Sequence, residues 1–206
     1  MTKRTYWCGN LSAKDLGRKL CVQGWAQARR DHGGLVFIDL RDRSGLVQIV
    51  FNPEFSKELH AAAGEIRSEF VLSICGEVSL RPNGTENKNL PTGEIEIRAE
   101  KLEIFNKAKA LPFMIEEDLN VSEEIRMKYR YLDLRRENMK RNIILRHKVI
   151  TSMRDYLNKH NFLEIETPML IKSTSEGARD YLVPSRLNPG MFYALPQSPQ
   201  MLKQIL

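Results

Sequence analysis

Leu35-Val-Phe-Ile-Asp-Leu-Arg-Asp-Arg-Ser-Gly-Leu-Val-Gln-Ile-Val-Phe51 decides the fold. Two runs of β-branched and aromatic residues, 35–42 and 45–51, flank a short turn bearing Gly45, which is the pattern of paired strands. In the first run alternation puts Val36, Ile38 and Leu40 on one face and Phe37 with Asp39 on the other. In the second, Val47, Ile49 and Phe51 share a face and Gln48 lies opposite. Upstream, residues 19–29 predict a further strand, joined to 35–42 by the first interstrand loop, Arg29-Arg-Asp-His-Gly-Gly34.

Downstream, residues 53–66 carry Phe55, Leu59, Ala62, Ala63 and Ile66 at helical spacing, with Pro53 suited to a first turn. Residues 70–80 and 93–105 return to strand, and the last alternates strictly, with Ile95 and Ile97 inward and Glu94, Glu96 and Arg98 outward. The order βββ-α-ββ predicts a five-stranded Greek-key barrel of the OB type, which commonly binds oligonucleotides through strands 2 and 3 and the loops after strands 1 and 4. An outward Phe37 beside Gln48, Glu96 and Arg30 makes a stacking platform rimmed with groups that hydrogen-bond base edges. Packing of Phe37 beneath the loop between strands 4 and 5 fits the same alternation.

The composition is that of an ordinary globular chain: 206 residues, 42% hydrophobic, 28% charged and net charge +6. That excludes disorder as the main state and makes an anionic partner plausible. From Arg126 to Lys148 nine Lys/Arg face two acids, which fits either a basic footprint or a solvated helix face. Cys8, Cys21 and Cys75 form no CxxC pair and no metal-binding spacing. Their odd number predicts reduced thiols, with Cys21 and Cys75 as small core residues in strands. There is no signal-like N-terminal stretch and no apolar run of the roughly 18–20 residues that spans a bilayer, so the expected setting is the cytoplasm, away from any membrane.

Residues 106–140 read as a connector: an acidic turn at 116–118, then Ser122-Glu-Glu124 as a helix cap with acids in the first turn. A long helix is predicted over about 142–160, its stripe formed by Ile143, His147, Ile150, Met153 and Leu157. A strand over 162–167, ended by Pro168, follows. This pair suits a dimer interface and suits burial within one subunit equally. Residues 172–186 are small and polar, the composition of a loop over a site, where Glu176 and Arg179 can meet a ligand's charges. A solvated loop reads the same. Near the end, Ser198 caps a helix with Pro199 at its first position, placing Gln200 and Lys203 one turn apart. That is a socket for a small anion or an ordinary capped surface helix.

Four segments resemble the bacterial-type aspartyl-tRNA synthetases, members of the class II aminoacyl-tRNA synthetases. They are Arg126-Met-Lys-Tyr-Arg-Tyr-Leu-Asp-Leu-Arg-Arg136, Phe162-Leu-Glu-Ile-Glu-Thr-Pro-Met169, Glu176-Gly-Ala-Arg-Asp-Tyr-Leu-Val-Pro-Ser-Arg186, and Ala194-Leu-Pro-Gln-Ser-Pro-Gln200 with Lys203. Arg41-Asp-Arg43 and Thr92-Gly93 agree, while Ser175 stands where the family usually has Pro. The resemblance implies an α+β protein: an OB-fold anticodon-binding barrel at 1–105, a hinge at 106–140, and at 141–206 the start of a class II antiparallel-sheet catalytic domain, truncated. It implies ATP-dependent activation of L-aspartate and transfer to the 3′ end of tRNA-Asp.

By the same resemblance, Glu176, Ser198, Gln200 and Lys203 hold aspartate, and Arg30, Phe37, Gln48, Glu96 and Asn87 read the anticodon. His32 and Gly84 resemble the relaxed type that also charges tRNA-Asn. The segment around Pro168 resembles class II motif 1, which implies a homodimer. Motifs 2 and 3, which in the family hold ATP with Mg2+, are absent from these residues. No catalytic residue and no metal site is therefore expected in this chain, and residues 140–206 are expected to leave apolar faces uncovered. Two rivals remain: a non-catalytic OB-fold module for tRNA or single strands, and a sister synthetase for asparagine or lysine.

Overall fold

Burial alternates along β1 (Lys19–His32) as far as Ala26 and along the whole of β2 (Leu35–Arg41), while β3 (Leu46–Phe51) is buried on both faces from Val47 onward, so each strand turns one apolar face inward. With β4 (Val71–Leu80) and β5 (Ile95–Asn106) they close a barrel in the order β1-β2-β3-β5-β4, the computed structural model describing residues 3–118, 120–173 and 179–206. The chain divides into two units, Met1–Met114 and Ile115–Leu206. All neighbours in the barrel are antiparallel except β3 and β5, which run parallel. Val22, Ile38, Leu40, Ile49, Phe51, Leu72, Ile74, Ile95 and Ile97 fill the interior with no exposed surface to speak of.

Closure asks for very close backbone approaches, and at Gly76, where β4 meets β5, a Cβ would lie 2.0 Å from the Arg98 carbonyl oxygen. At Gly24, where β1 passes from β4 to β2, a Cβ would lie 2.2 Å from the Arg41 carbonyl oxygen. The hairpin β1–β2 is tighter than the sequence suggests. β1 runs on to His32, and only Gly33 and Gly34 turn, both at positive φ (58° and 77°), as a two-residue turn matched to strand twist requires.

The cysteines depart from expectation. Cys21 and Cys75 lie on the outer face of the barrel, directly opposite one another on β1 and β4, and are joined as a disulfide. Cys21 spends its N–H and C=O on Thr5 rather than on β4, so the pair sits at a non-hydrogen-bonded position, where opposed side chains come closest. Closing a separation of 54 residues contributes roughly 4 kcal/mol relative to the reduced chain in the chain-entropy account. Only Cys8 is free, and it is buried.

The helix after β3 is also shorter than predicted. α1 is Lys57–Gly64, with Ser56 capping Leu59 N–H. Asn52 diverts the first residues into a turn, its side chain accepting from Glu54 N–H and its carbonyl from Phe55 N–H. Phe55 therefore leaves the apolar stripe for solvent, whereas Ala63 and Ile66 join the core.

In the second unit, α2 (Glu123–Lys128) starts at the expected Ser122 cap, and α3 (Arg130–Asp133) follows. α4 spans Glu137–Lys159, five residues earlier than the stripe implied, and buries none of its side chains. It ends where Asn161 turns to φ 64° and Phe162 N–H reaches back to the Leu157 carbonyl. Residues 162–167 form no strand, because no described residue offers them a ladder partner. The strands here are instead β6 (Tyr181–Pro184) and β7 (Phe192–Leu195), an antiparallel pair joined at Ala194 by an isolated bridge from Ile171. So part of the predicted loop over 172–186 is strand. The last helix, α5 (Gln200–Lys203), is a single turn with Pro199 at its N-cap, which gives it no side-chain cap. Ser198 therefore stands one residue too early for the capping role.

The hairpin β2–β3 is tied to the N-terminal segment through Asp42. Its carboxylate accepts from Cys8 N–H (2.8 Å), Ser44 N–H (2.7 Å) and the Ser44 hydroxyl (2.5 Å). Burial alone would raise this carboxyl, but those donors outweigh it and hold it below the usual 3.8. A depressed folded value means that its stabilisation is complete above about pH 4 and is lost as pH falls through the folded value. Asp42→Ala leaves buried donors unmatched and is expected to cost about 2–4 kcal/mol in urea unfolding at neutral pH. The loss should be smaller in acid, where the parent carboxyl is itself protonated and the charge-linked part of its stabilisation is gone. An equal loss at pH 7 and at acid pH would contradict this account.

Candidate nucleic-acid interface

The outward face of β2, β3 and β5 carries a connected polar row. Arg30 on β1 stands opposite Phe37 on β2, and Asp39 on β2 opposite Gln48 on β3. Arg30 Nη2 donates to Asp39 Oδ1 (2.8 Å) and to Gln48 Oε1 (3.3 Å), and Gln48 Nε2 donates to Glu96 Oε2 (3.0 Å). The parallel pairing of Ile49 with Ile97 is what brings Gln48 and Glu96 together from positions 48 residues apart.

Beside this row lies a cavity of about 620 Å³ lined by Arg30, His32, Phe37, Gln48, Asn87 and Glu96, together with Asp31, Leu35, Val50, Arg81, Pro82 and Thr85. All five residues expected to read bases thus line one cavity, with Phe37 half-buried in its wall. His32 belongs to the lining. Gly84 does not, but it sits at φ 83° in the adjoining loop and donates its N–H to Glu86. Asn87 is fixed by its backbone, donating to Gly93 O and accepting Asn89 N–H on its side chain.

Arg81 was missed by sequence reasoning. It is only 7% exposed, donates through Nε to the Ile95 carbonyl (3.0 Å), and its buried Nη2 has no hydrogen-bond partner among the described residues. An arginine at a strand end carries no periodic signal; a basic residue just ahead of a Pro-Asn-Gly turn was the only hint. Burial lowers the Arg81 guanidinium from its usual value, against the charges of Asp39 and Glu96. Burial likewise pushes Glu96 above the usual 4.5, against the Gln48 hydrogen bond and the charges of Arg81 and Arg98.

The expected aspartate site is only partly in view. Glu176 lies outside the described residues. Ser198, Gln200 and Lys203 are exposed around the single turn of α5, with Gln200 and Lys203 at its two ends. The basic run is not all solvated. Arg126, Arg130 and Arg136 converge on the fully buried carboxylate of Asp133, at 3.8 Å and 3.2 Å for the first and last. Positions 130, 133 and 136 are one turn apart, the one signal that could have found this cluster. Among the described residues no group of His, Cys, Asp and Glu is arranged to hold a metal ion, and no helix is long and apolar enough to cross a membrane.

The family models match in two pieces: OB-fold nucleic acid binding domain over residues 20–105, and tRNA synthetases class II (D, K and N) over residues 122–206. Solved structures agree on the fold. An asparaginyl-tRNA synthetase from Pyrococcus horikoshii, complexed with asparaginyl-adenylate, superposes with TM-score 0.83 at 23% identity over 100% of this chain and 45% of that one. The aspartyl-tRNA synthetase of Entamoeba histolytica gives 0.72 at 21% identity, over 81% of this chain and 39% of that one. Fold and matches define a class: a nucleic-acid-binding OB barrel followed by the start of a class II synthetase domain.

Sequence narrows this further. The aspartate–tRNA(Asp/Asn) ligases of Halothermothrix orenii and Geobacillus sp. (strain WCH70) are 57% and 59% identical, over 99% and 100% of the chain. The chain is similar to these bacterial ligases along its whole length and spans 35% of theirs.

The raised Glu96 carboxyl has a measurable consequence. A native-state value above the unfolded 4.5 means that the folded chain holds more protons there, so stability falls as pH rises from 4.5 through the folded value. Glu96→Gln keeps an oxygen acceptor for Gln48 and should unfold at higher urea than the parent at pH 7, with no advantage below pH 4.5. A variant less stable than the parent at pH 7 would contradict the sign.

Proposed function

We propose that the chain is the tRNA-reading part of an aspartate–tRNA ligase acting on tRNA-Asp and tRNA-Asn in the cytoplasm. The observation that carries this reading is the Arg30–Gln48–Glu96 hydrogen-bond row beside Phe37 in one cavity. The division of labour is 1–105 for the anticodon, 106–140 as hinge and 141–206 towards the amino acid. An unstacked base lies on the Phe37 ring, while the amide of Gln48, the carboxyl of Glu96 and the unpaired Nη2 of Arg81 meet its edge. Gln48 is held by partners on both sides, so its donor and acceptor directions are fixed before RNA arrives. Asn87, His32 and the Gly84 turn flank the position of the third anticodon base, where a small, polar surround accepts either pyrimidine.

In the second unit, Lys203 and Gln200 take the aspartate side-chain carboxylate, with Ser198 beside them and Glu176 against the α-ammonium. A charge-assisted bond to Lys203 is lost when asparagine replaces aspartate, which makes it a discriminating contact. The apolar face of α4 and the segment around Pro168 serve a homodimer contact. Activation of aspartate uses ATP with Mg2+. Among the described residues no group of His, Cys, Asp and Glu is arranged to hold that metal ion.

The binding reading is tested with hairpin RNAs carrying GUC or GUU anticodon loops, by fluorescence anisotropy with this chain. Both should bind within a few-fold of each other and far above a scrambled loop. Phe37→Ala should weaken both by about tenfold or more, since base–aromatic stacking is worth about 1–3 kcal/mol. Equal binding of the scrambled loop would favour the sequence-blind single-strand module instead. ATP–pyrophosphate exchange with aspartate should be undetectable for this chain, and appreciable exchange would overturn the assignment of its residues to recognition alone.

A further inference from the structure

Next to the Phe37 cavity lies a second one, of about 230 Å³, lined by Leu35, Val50, Asn52, Phe55, Glu96, Arg98 and Ala99. The two share Leu35, Val50 and Glu96 as a common wall, so an RNA strand leaving the first cavity meets the second. What the second adds is an aromatic ring and a cation. Phe55 is 70% exposed, although it is a large apolar side chain beside a well-filled core.

Its exposure is built in. The Asn52 side chain and carbonyl take the N–H groups of Glu54, Phe55 and Ser56, which keeps these residues out of α1 and fixes the ring on a turn. Arg98 is exposed on β5 opposite Val50, whose neighbours in the lining belong to both cavities. The only acid in the lining, Glu96, is buried and takes the Gln48 amide, leaving Arg98 as the charge facing solvent. A ring with an adjacent guanidinium is the pairing that single-stranded nucleic acid uses: stacking for the base, charge for the phosphate.

We infer that Phe55 and Arg98 form a further nucleotide subsite, in which a base flanking the anticodon triplet stacks on Phe55 and its phosphate pairs with Arg98. This rests on the reading of the Phe37 cavity as the anticodon site. It extends the footprint of the barrel from the triplet to the loop around it, and it requires no movement of the core. A site of this kind is largely blind to the identity of the flanking base, because every base has a face to stack.

The test uses this chain and the GUC hairpin, intact or with an abasic site immediately before or after the triplet. Phe55→Ala should weaken the intact hairpin about tenfold. It should cost nothing further against one of the two abasic hairpins, because the stacking partner is already gone. Arg98→Ala should reduce the slope of log affinity against log salt by about 0.7. Thermal unfolding of Phe55→Ala should match the parent, since the ring is exposed. If Phe37→Ala weakens binding and Phe55→Ala does not, the subsite is wrong while the anticodon reading stands. If neither matters, the anticodon reading itself falls. A Phe55→Ala loss that adds in full to both abasic losses would also overturn the subsite.

Discussion

The parallel pairing of β3 with β5 is the constraint on which the rest depends. Only Ile49 with Ile97 and Val50 with Arg98 register across this seam, yet it turns a five-stranded antiparallel sheet, in the order β3-β2-β1-β4-β5, into a closed barrel with no free edge. Inside the seam, Ile49 and Ile97 meet in the core. Outside it, Gln48 comes within hydrogen-bond reach of Glu96, and the two neighbouring cavities acquire a common wall. Core and candidate interface are therefore two faces of one pairing, and a slip of one residue would exchange them.

The energetic supports are local and of different kinds. Asp42 ties the β2–β3 hairpin to the N-terminal segment with three donors on one carboxylate. The Cys21–Cys75 disulfide fastens β1 to β4 on the far side of the order from the β3–β5 seam. In the second unit Asp133 is buried without solvent and is matched by three arginines, a case where the charge is stable only because its partners are in place. The long exposed stripe of α4 is a different matter: Ile143, Met153 and Leu157 are left in water by the described residues.

What the sequence made legible was whatever alternation or helical spacing encodes. The faces of Phe37, Gln48 and Glu96 followed from a period of two along strands whose inner faces are fully apolar. The five base-reading candidates then fell into one cavity because the topology of the barrel follows from strand order. What stayed hidden depends on register or on side-chain competition. Cys21 and Cys75 are 54 residues apart, and no local pattern says that they oppose each other. Phe55 has perfect helical spacing, and it is Asn52 that overrides it. Arg81 is placed by the return of the chain through Thr92 to Ile95. Residues 162–167 have strand composition, but a strand exists only with a partner. Glu176, outside the described residues, remains a reading from sequence alone.

The central claim is that the outward face of β2, β3 and β5 reads single-stranded RNA bases. Its most direct test is a two-dimensional 1H–15N titration of this chain with the GUC hairpin RNA. The account predicts that the largest shifts cluster at Arg30, Phe37, Gln48, Arg81, Asn87 and Glu96, including the side-chain amides of Gln48 and Asn87, with the buried core residues unmoved. Shifts concentrated instead on the basic face of α4, with the Gln48 side-chain amide unchanged at saturation, would contradict it.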